Sequence, residues 1–312
     1  MLDAHQLNVF LVAAETLNFT LAARRLHMSQ PSVSQHIQSL EQHFGQSLFI
    51  RAGRTLQLTD AGEALVPMAQ DMVNRSIRIE ETIKSLQGEV YGHLLVGCST
   101  TPGKYILPQL LARFHNTYPQ VKISCHVASQ DQSLQTLENG EIHFALASVP
   151  HTSFKNIEFS KFMTDRVLLI VPLSHPWAKK GIIEPDELFK TNFIFREDNS
   201  GTQVTVQSAL ADAGIDIIDL KTLLVLGNSE AIALAVKEGL GAGFISSLVV
   251  SRLVNGQVAT VQIKGIELSR DIYIGRLTNR LATKAQTAFW NFAIEQRETI
   301  VKELNAEQAE II

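Results

Sequence analysis

Residues Thr20-Leu-Ala-Ala-Arg-Arg-Leu-His-Met-Ser-Gln-Pro-Ser-Val-Ser-Gln-His-Ile-Gln-Ser-Leu-Glu41 constrain the chain more tightly than any other stretch, because they leave room for two short helices joined by a tight turn and for little else. Leu21, Ala22 and Leu26 recur at helical spacing, with Thr20 as the expected N-cap, and small Ala22 and Ala23 let a second helix approach closely. Met28 and Ser29 form the turn. Ser29 or Gln30 can cap the second helix, and Pro31 suits its first turn, where a missing N–H has no partner to lose. Val33, Ile37, Leu40 and Phe44 then line one side of that helix, leaving Ser32, Gln35, Gln38 and Ser39 on the other.

That polar side suits the major groove of DNA: Gln pairs bidentately with adenine, Ser bonds a base or a phosphate, and a helix N-terminus attracts phosphate. An ordinary solvated face is the plainer reading. Leu48-Phe-Ile-Arg51, a Gly-containing turn through Arg54, and Thr55-Leu-Gln-Leu-Thr59 read as a hairpin beside the helix, a wing carrying Arg51 and Arg54 toward backbone phosphate or a minor groove. Ala22-Ala23 through Leu26, Ser29-Gln-Pro-Ser-Val-Ser34, Ile37-Gln-Ser-Leu-Glu41, Leu48-Phe-Ile-Arg51 and Leu58-Thr-Asp-Ala-Gly62 together resemble the LysR-type transcriptional regulators. The resemblance implies that Gln30, Pro31, Ser32, Ser34, Gln35 and Gln38 approach double-stranded operator DNA.

Charge runs against an unaided reader. Residues 1–65 carry Arg24, Arg25, Arg51 and Arg54 against Asp3, Glu15, Glu41, Asp60 and Glu63, and the whole chain has a net charge of −4. Phosphate neutralisation supplies most non-specific affinity, so one such domain should bind weakly and depend on multiplicity. His27, His36 and His43 read as surface residues.

Thr59 or Asp60 can cap a helix reaching about Gln87, with Ala61, Leu65, Met68, Met72, Ile79, Ile83 and Leu86 near the spacing of a coiled-coil seam. It would span roughly 40 Å at about 1.5 Å per residue. Burial of this stripe against a second copy is expected, giving a dimer and, by resemblance, a homotetramer; no Cys or His lies near enough to recruit the methionines for a metal.

Two glycines in Gln87-Gly-Glu-Val-Tyr-Gly-His93 break the helix, and apolar strands then alternate with amphipathic helices. Strands are expected at Leu94–Cys98, Lys122–Ala128, Phe144–Ser148, Val167–Val171, Phe193–Phe195, Leu223–Leu226 and Ala242–Ile245. Helices are expected near Pro102–Tyr118, Gln132–Asn139, Gly201–Ala213, Ser229–Glu238 and Lys284–Asn305, the last returning to the first lobe. The fold class is thus a multidomain α+β and α/β chain. A winged helix-turn-helix occupies 1–59 and a linker helix 60–88; effector lobe I takes 92–164 plus 267–305, and lobe II takes 165–266. By resemblance the two lobes are built like a periplasmic solute-binding protein, with crossovers near Phe162–Arg166 and Gly265–Ser269.

Ligands of open α/β sheets sit beyond the carboxyl ends of the strands. Cys98-Ser-Thr-Thr-Pro102, Ser148 and Asn199-Ser-Gly-Thr202 occupy such places, where hydroxyls and free N–H groups at helix starts favour an anion. Ser99, Thr100, Thr101, Ser148, Arg196, Ser200 and Thr202 are therefore the candidate effector residues, and ordinary helix capping is the competing reading of each. Arg196-Glu-Asp-Asn-Ser-Gly-Thr202 is similar to a segment in the family branch regulating carbon fixation and sulfur assimilation. Gln203 stands where that branch leads one to expect Arg, so a doubly charged phosphate would need Arg196 or Lys104 instead.

Gly239-Leu-Gly-Ala-Gly243 ends a helix and begins a strand, so it is no phosphate loop, and the chain has no nucleophile elbow, His-Glu-x-x-His pair or Cys-x-x-Cys cluster. No catalysis, cofactor or metal is expected. Cys98 and Cys125, the only cysteines, fall in neighbouring predicted strands and read first as packing residues. The apolar run Val9–Ala14 is too short to span a membrane, and a cytoplasmic location is expected. A solute-binding transport component is the rival to a regulator; the helix-turn-helix and the lack of an export signal oppose it.

Overall fold

The computed structural model describes residues 1–52, 55–85, 89–148 and 154–309, in two compact units that part between Glu89 and Val90. The first contains α1 (Ala4–Thr16), α2 (Phe19–Arg25), α3 (Gln30–Phe44), the hairpin β1 (Phe49–Ala52) and β2 (Thr55–Leu58), and α4 (Asp60–Ser85). Asn18 caps α2, accepting from the N–H groups of Thr20 and Leu21, so Thr20 lies inside the helix instead of at its start. Ser29 caps α3, with Pro31 in the first turn. Val33, Ile37 and Leu40 are buried with Phe10, Ala22 and Ala23. Phe44, the last residue before the left-handed Gly45 cap, is 40% exposed and falls off the stripe expected to include it.

Glu41 fastens the wing to α3, its Oε1 accepting from the N–H of Leu48 at 2.8 Å and of Phe49 at 3.3 Å. Thr59 Oγ1 accepts from Gly62 N–H at the start of α4. A Cβ on Gly62 would stand 2.3 Å from the Leu48 carbonyl oxygen, so only glycine permits this approach. The apolar residues of α4 divide between two tasks: Ala61, Leu65, Ala69, Met72 and Val73 pack into this unit's own core, largely against α1, whereas Met68, Ile79 and Ile83 are 70%, 65% and 61% exposed. The single seam expected from sequence is thus split, because α1 covers its first half. Leu86 lies outside the described residues.

The second unit begins with β3 (Gly92–Cys98), α5 (Thr100–Tyr105), α6 (Leu107–Thr117), β4 (Val121–Val127), α7 (Gln130–Glu138) and β5 (Phe144–Ser148), followed by the long β6 (Ile157–Pro172). It continues through α8 (Pro176–Lys180), β7 (Ile182–Ile183), β8 (Asn192–Arg196), α9 (Gly201–Asp212), β9 (Lys221–Leu226), α10 (Ser229–Lys237), β10 (Ala242–Ser246), α11 (Ser247–Leu253) and β11 (Val258–Ile263). Then β12 (Ser269–Leu277) and α12 (Lys284–Ala309) return. The one helix expected over 102–118 is two, broken at Ile106, because Pro108 in the first turn of α6 cannot donate into a continuous ladder.

The strands run in the order β4-β3-β5-β12-β6-β10-β8-β9, a mixed arrangement. β3 is parallel to β4 and β5, and β8 to β9 and β10, as successive βα units dictate. β6 belongs to both lobes: residues 157–166 pair with β12, and residues 167–172 pair with β10 and β11. The strand expected to begin at Val167 is therefore the second half of one that starts ten residues earlier. Phe289 of α12 sets its ring edge-on to Phe114, with centroids 5.0 Å apart, and tilted against Phe144 at 4.8 Å, which fixes the last helix on lobe I.

At the crossing, Asp165 is completely buried. Its Oδ2 accepts from Arg270 Nε at 3.0 Å and Nη2 at 2.8 Å, and its Oδ1 accepts from Ser246 Oγ at 2.6 Å. One carboxylate thus ties together β6, β12 and the end of β10. Removing one member of a buried pair strands a desolvated charge, typically at about 3–5 kcal/mol. Asp165→Ala should therefore lower the unfolding free energy of the chain by about that amount, whereas Asp165→Leu with Arg270→Met should recover much of the loss, as read from denaturant midpoints.

Candidate functional site

Two surfaces carry the chemistry, one on each unit. On the first unit, Gln30, Pro31, Gln35 and Gln38 are exposed along α3, and Ser32 and Ser34 are half-buried. Ser32 Oγ lies 2.8 Å from Ser29 Oγ, so it shares in the cap. Arg51 is exposed on β1, opposite Leu56; Arg54 lies outside the described residues. Arg25 is drawn into an exposed ion pair with Glu15 at 2.7 Å. Little fixed positive charge therefore flanks α3, and the glutamines supply the directional chemistry of this face.

On the second unit, a cleft of about 180 Å³ opens between the lobes, lined by Ser99, Thr100 and Thr101 on one side, Arg196, Asn199 and Ser200 on the other, with Gln130 and Arg270 among the groups between. This is smaller than the roughly 300–1,000 Å³ of sites for drug-sized ligands, and it suits a small metabolite. The starts of α5, α7 and α9 all meet here. Ser129 caps α7 and Ser200 caps α9 through side-chain oxygens, accepting from Gln132 N–H and Gln203 N–H, whereas Ser99 precedes α5 without spending its side chain on a cap. Each helix start presents unpaired N–H groups and the positive end of its dipole.

The cradle is deepest at Gly201. A Cβ there would come within 2.8 Å of Gln130 Oε1 and of Ser148 Oγ, and 3.0 Å of Arg270 Nη1. Gln130 is 6% exposed, and its Oε1 is buried with no hydrogen-bond partner. A desolvated, unpaired acceptor costs free energy, and a ligand donor at the cleft would relieve it. Arg270 commits Nε and Nη2 to Asp165, which leaves Nη1 directed toward Gly201.

The other cations are taken. Arg196 donates to Glu197 through Nε at 2.8 Å and Nη2 at 2.6 Å, and to Ser229 Oγ through Nη1 at 2.9 Å, so it staples β8 to the start of α10. Burial pushes the Glu197 carboxyl up, but hydrogen bonds from Arg196 and from its own backbone outweigh this and hold it below the usual carboxylate range. Lys104 and Tyr105 of α5 both bind Glu230 of α10, Tyr105 Oη at 2.8 Å; the Lys104 hydrogen bond, above all, holds the Glu230 carboxyl low against its partial burial. Gln203, in place of the expected Arg, accepts from Arg196 N–H through Oε1 at 3.2 Å and is buried. Its role is to fix the end of β8.

Of the seven expected effector residues, Ser99, Thr100, Thr101, Arg196 and Ser200 line the cleft. Ser148 Oγ lies beside Gly201, and Thr202 is not among the lining residues: it is 1% exposed, and its buried Oγ1 has no hydrogen-bond partner. The sequence reading passed over Gln130 and Arg270. Gln130 obeys the same rule as the residues found, since it follows a strand and opens a helix. Arg270 carries no such local signal, since it is one of three charged residues on β12, with Asp271 and Arg276. Among the described residues, no three His, Cys, Asp or Glu side chains gather as a metal site, and no helix is long and apolar enough to cross a membrane.

Comparison with known proteins agrees with this architecture. Residues 4–63 match the bacterial regulatory helix-turn-helix protein, lysR family, and residues 87–298 match the LysR substrate binding domain. The chain is 32% identical over 290 residues to a protein of Trichormus variabilis named "Probable RuBisCO transcriptional regulator", covering 91% of this chain and 85% of that one. CbnR, a full-length regulator solved with its target DNA complex, superposes with a TM-score of 0.68 at 23% identity, over 94% of this chain and 99% of that one. The regulatory domain of CcmR from Synechocystis, solved in complex with 2-PG, superposes with a TM-score of 0.60 at 25% identity, over 66% of this chain and 97% of that one. With both of its units so matched, the chain belongs to the LysR family of transcriptional regulators and carries that family's effector-binding domain.

Proposed function

We propose that this regulator reads an inverted-repeat operator as a dimer of winged helix-turn-helix domains and responds to a small anionic metabolite held in the cleft. The single observation that carries the effector class is the convergence of three helix N-termini and Arg270 Nη1 on a volume of about 180 Å³, and the unpaired Gln130 Oε1 calls in addition for a donor, such as a hydroxyl, on the same ligand. Attraction for the anion comes from helix dipoles and one open guanidinium edge, because Arg196, Lys104 and Arg270 are paired with Glu197, Glu230 and Asp165. A carboxylate of a few carbons that also carries a hydroxyl fits this set; a doubly charged phosphate would have to rely on the helix N-termini and Arg270 Nη1, since Arg196 and Lys104 are paired, and the 2-PG bound by CcmR tests that case. Ser99, Thr100, Thr101, Ser148, Ser200, Gln130 and Arg270 are assigned to the ligand, and Arg196 to shaping its site. Thr202 is left with a supporting place in lobe II.

Gln30, Pro31, Ser32, Ser34, Gln35, Gln38 and Arg51 are assigned to DNA, with residues 1–59 as reader, 60–88 as linker, 92–164 plus 267–305 as lobe I, and 165–266 as lobe II. The exposed Met68, Ile79 and Ile83 support α4 as the dimer contact. A homotetramer, acting in the cytoplasm, is the expected assembly. Effector binding shifts the regulator only as far as its affinity differs between the two arrangements of the assembly.

Four outcomes are expected. A thermal-shift screen of the full chain with small carboxylates, sulfate and phosphate monoesters including 2-PG should yield a dose-dependent rise in Tm. Thr100→Val should weaken the best hit about tenfold or more, as loss of a hydrogen bond to a charged group costs about 1.5–3 kcal/mol, whereas Thr202→Val should leave its Kd within about twofold. Gel shifts with the upstream intergenic DNA at fixed low salt should show specific binding that Gln35→Ala weakens by about ten- to a hundredfold, the worth of a bidentate base contact. Ile79→Glu with Ile83→Glu should raise the dimer dissociation constant in sedimentation and weaken operator binding in parallel; unchanged association would exclude α4 as the contact.

A further inference from the structure

Cys98 Sγ and Cys125 Sγ lie 3.5 Å apart, the first buried and the second exposed, and both thiols are free. Packing was the first reading of these residues, but their placement is unusual for packing alone. They sit on the adjacent parallel strands β3 and β4, and each strand runs straight into the effector cleft: Cys98 directly precedes Ser99, and Cys125 stands two residues before the lining segment Val127–Gln130. The register makes them diagonal neighbours, Cys98 facing Val127 and Cys125 facing Val96. Closing the sulfurs from 3.5 Å to the roughly 2.05 Å of a disulfide draws Cys98 toward β4.

We propose that Cys98 and Cys125 are a reversible disulfide site, closed by a two-electron oxidant such as hydrogen peroxide, that resets the lobe I side of the cleft. The exposed Cys125 thiolate attacks one peroxide oxygen, the O–O bond breaks, hydroxide leaves and takes up a proton, and Cys125 becomes a sulfenic acid. Cys98 then attacks the Cys125 sulfur, the S–O bond breaks, and the Cys98 proton leaves with the hydroxyl as water. The sulfurs have lost two electrons and the peroxide has gained them. A hydrogen bond from the Cys98 thiol holds the Cys125 pKa below its ordinary value, outweighing its burial, so Cys125 is the sulfur that ionises first. Cys98 sits in the interior, ready to resolve it.

The coupling to the cleft runs through Gly103. A Cβ there would stand 2.5 Å from Cys98 Sγ and 3.1 Å from Val127 Cγ2, so α5 is seated directly on the sulfur and on β4. Movement of Cys98 toward Cys125 must shift α5, whose first residues Thr100 and Thr101 line the cleft.

The test is titration of the full-length protein with hydrogen peroxide, followed by non-reducing peptide mapping and amide hydrogen exchange. One intramolecular Cys98–Cys125 linkage per chain is expected, reversed by dithiothreitol, with exchange altered in residues 99–105 and 127–133 but not in residues 201–212. Cys98→Ser should accumulate a dimedone-reactive sulfenic acid at Cys125, and Cys125→Ser should leave Cys98 unreacted at the same dose. Persistence of both thiols, linkage between chains, or one-way oxidation to sulfinic acid would overturn the site. A disulfide that forms with no change in exchange across residues 99–105 would overturn its coupling to the cleft.

Discussion

The buried carboxylate of Asp165 organises the second unit. Desolvating a carboxylate is costly unless its lone pairs are filled, and here Arg270 fills them from β12 and Ser246 from the end of β10. Those partners come from strands that belong to different lobes, so the pair can be satisfied only when the two crossovers lie side by side. Its second consequence is functional. Because Asp165 occupies Nε and Nη2 of Arg270, the guanidinium is held in one orientation, and the remaining nitrogen faces Gly201. The interaction that closes the fold therefore also aims the one guanidinium edge that Asp165 leaves open toward the cleft.

The electrostatics of the cleft follow from what is spent elsewhere. Arg196 looks in sequence like an anion ligand, but three of its bonds serve Glu197 and Ser229, which makes it a rivet between β8 and α10. Lys104 is spent on Glu230, joining α5 to α10 across the lobes. Helix N-termini and polar side chains remain as the anion-attracting groups, and their field is short-ranged compared with that of free cations. Such a site discriminates by fit and hydrogen bonding more than by charge, which is consistent with its small volume and with an unpaired acceptor at Gln130.

How much of this was legible varied with distance along the chain. The helix-turn-helix could be read because α2, the turn and α3 are contiguous and each cap lies within three residues of what it caps; even there Asn18 took the place expected of Thr20. Ser99, Thr100 and Thr101 were found because a single rule, strand then helix, locates them. Arg270 escaped because its meaning depends on Asp165, over a hundred residues away. The first half of β6 escaped because one strand serves two lobes, with no turn signal marking the crossing. On α4, heptad spacing could not distinguish the residues that α1 covers from those left bare, since both obey the same period.

That last ambiguity bears on how the regulator reads DNA. The face of α3 offers glutamines and serines with few cations beside it, and Glu41, which counts against DNA in any tally of charge, has its Oε1 committed to the wing backbone. A face of this kind carries directional information with little non-specific attraction. Weak, selective contacts become useful when two are held at fixed spacing, because the second then binds at an effective concentration set by the connector. A helix as long as α4, anchored at one end in the reader's own core and carrying the exposed Ile77, Ile79 and Ile83 along its remainder, is suited to set that spacing. On the proposed reading, the scarcity of basic residues and the bare isoleucines on α4 are two expressions of one arrangement, in which affinity would reside in the assembly and selectivity in each α3.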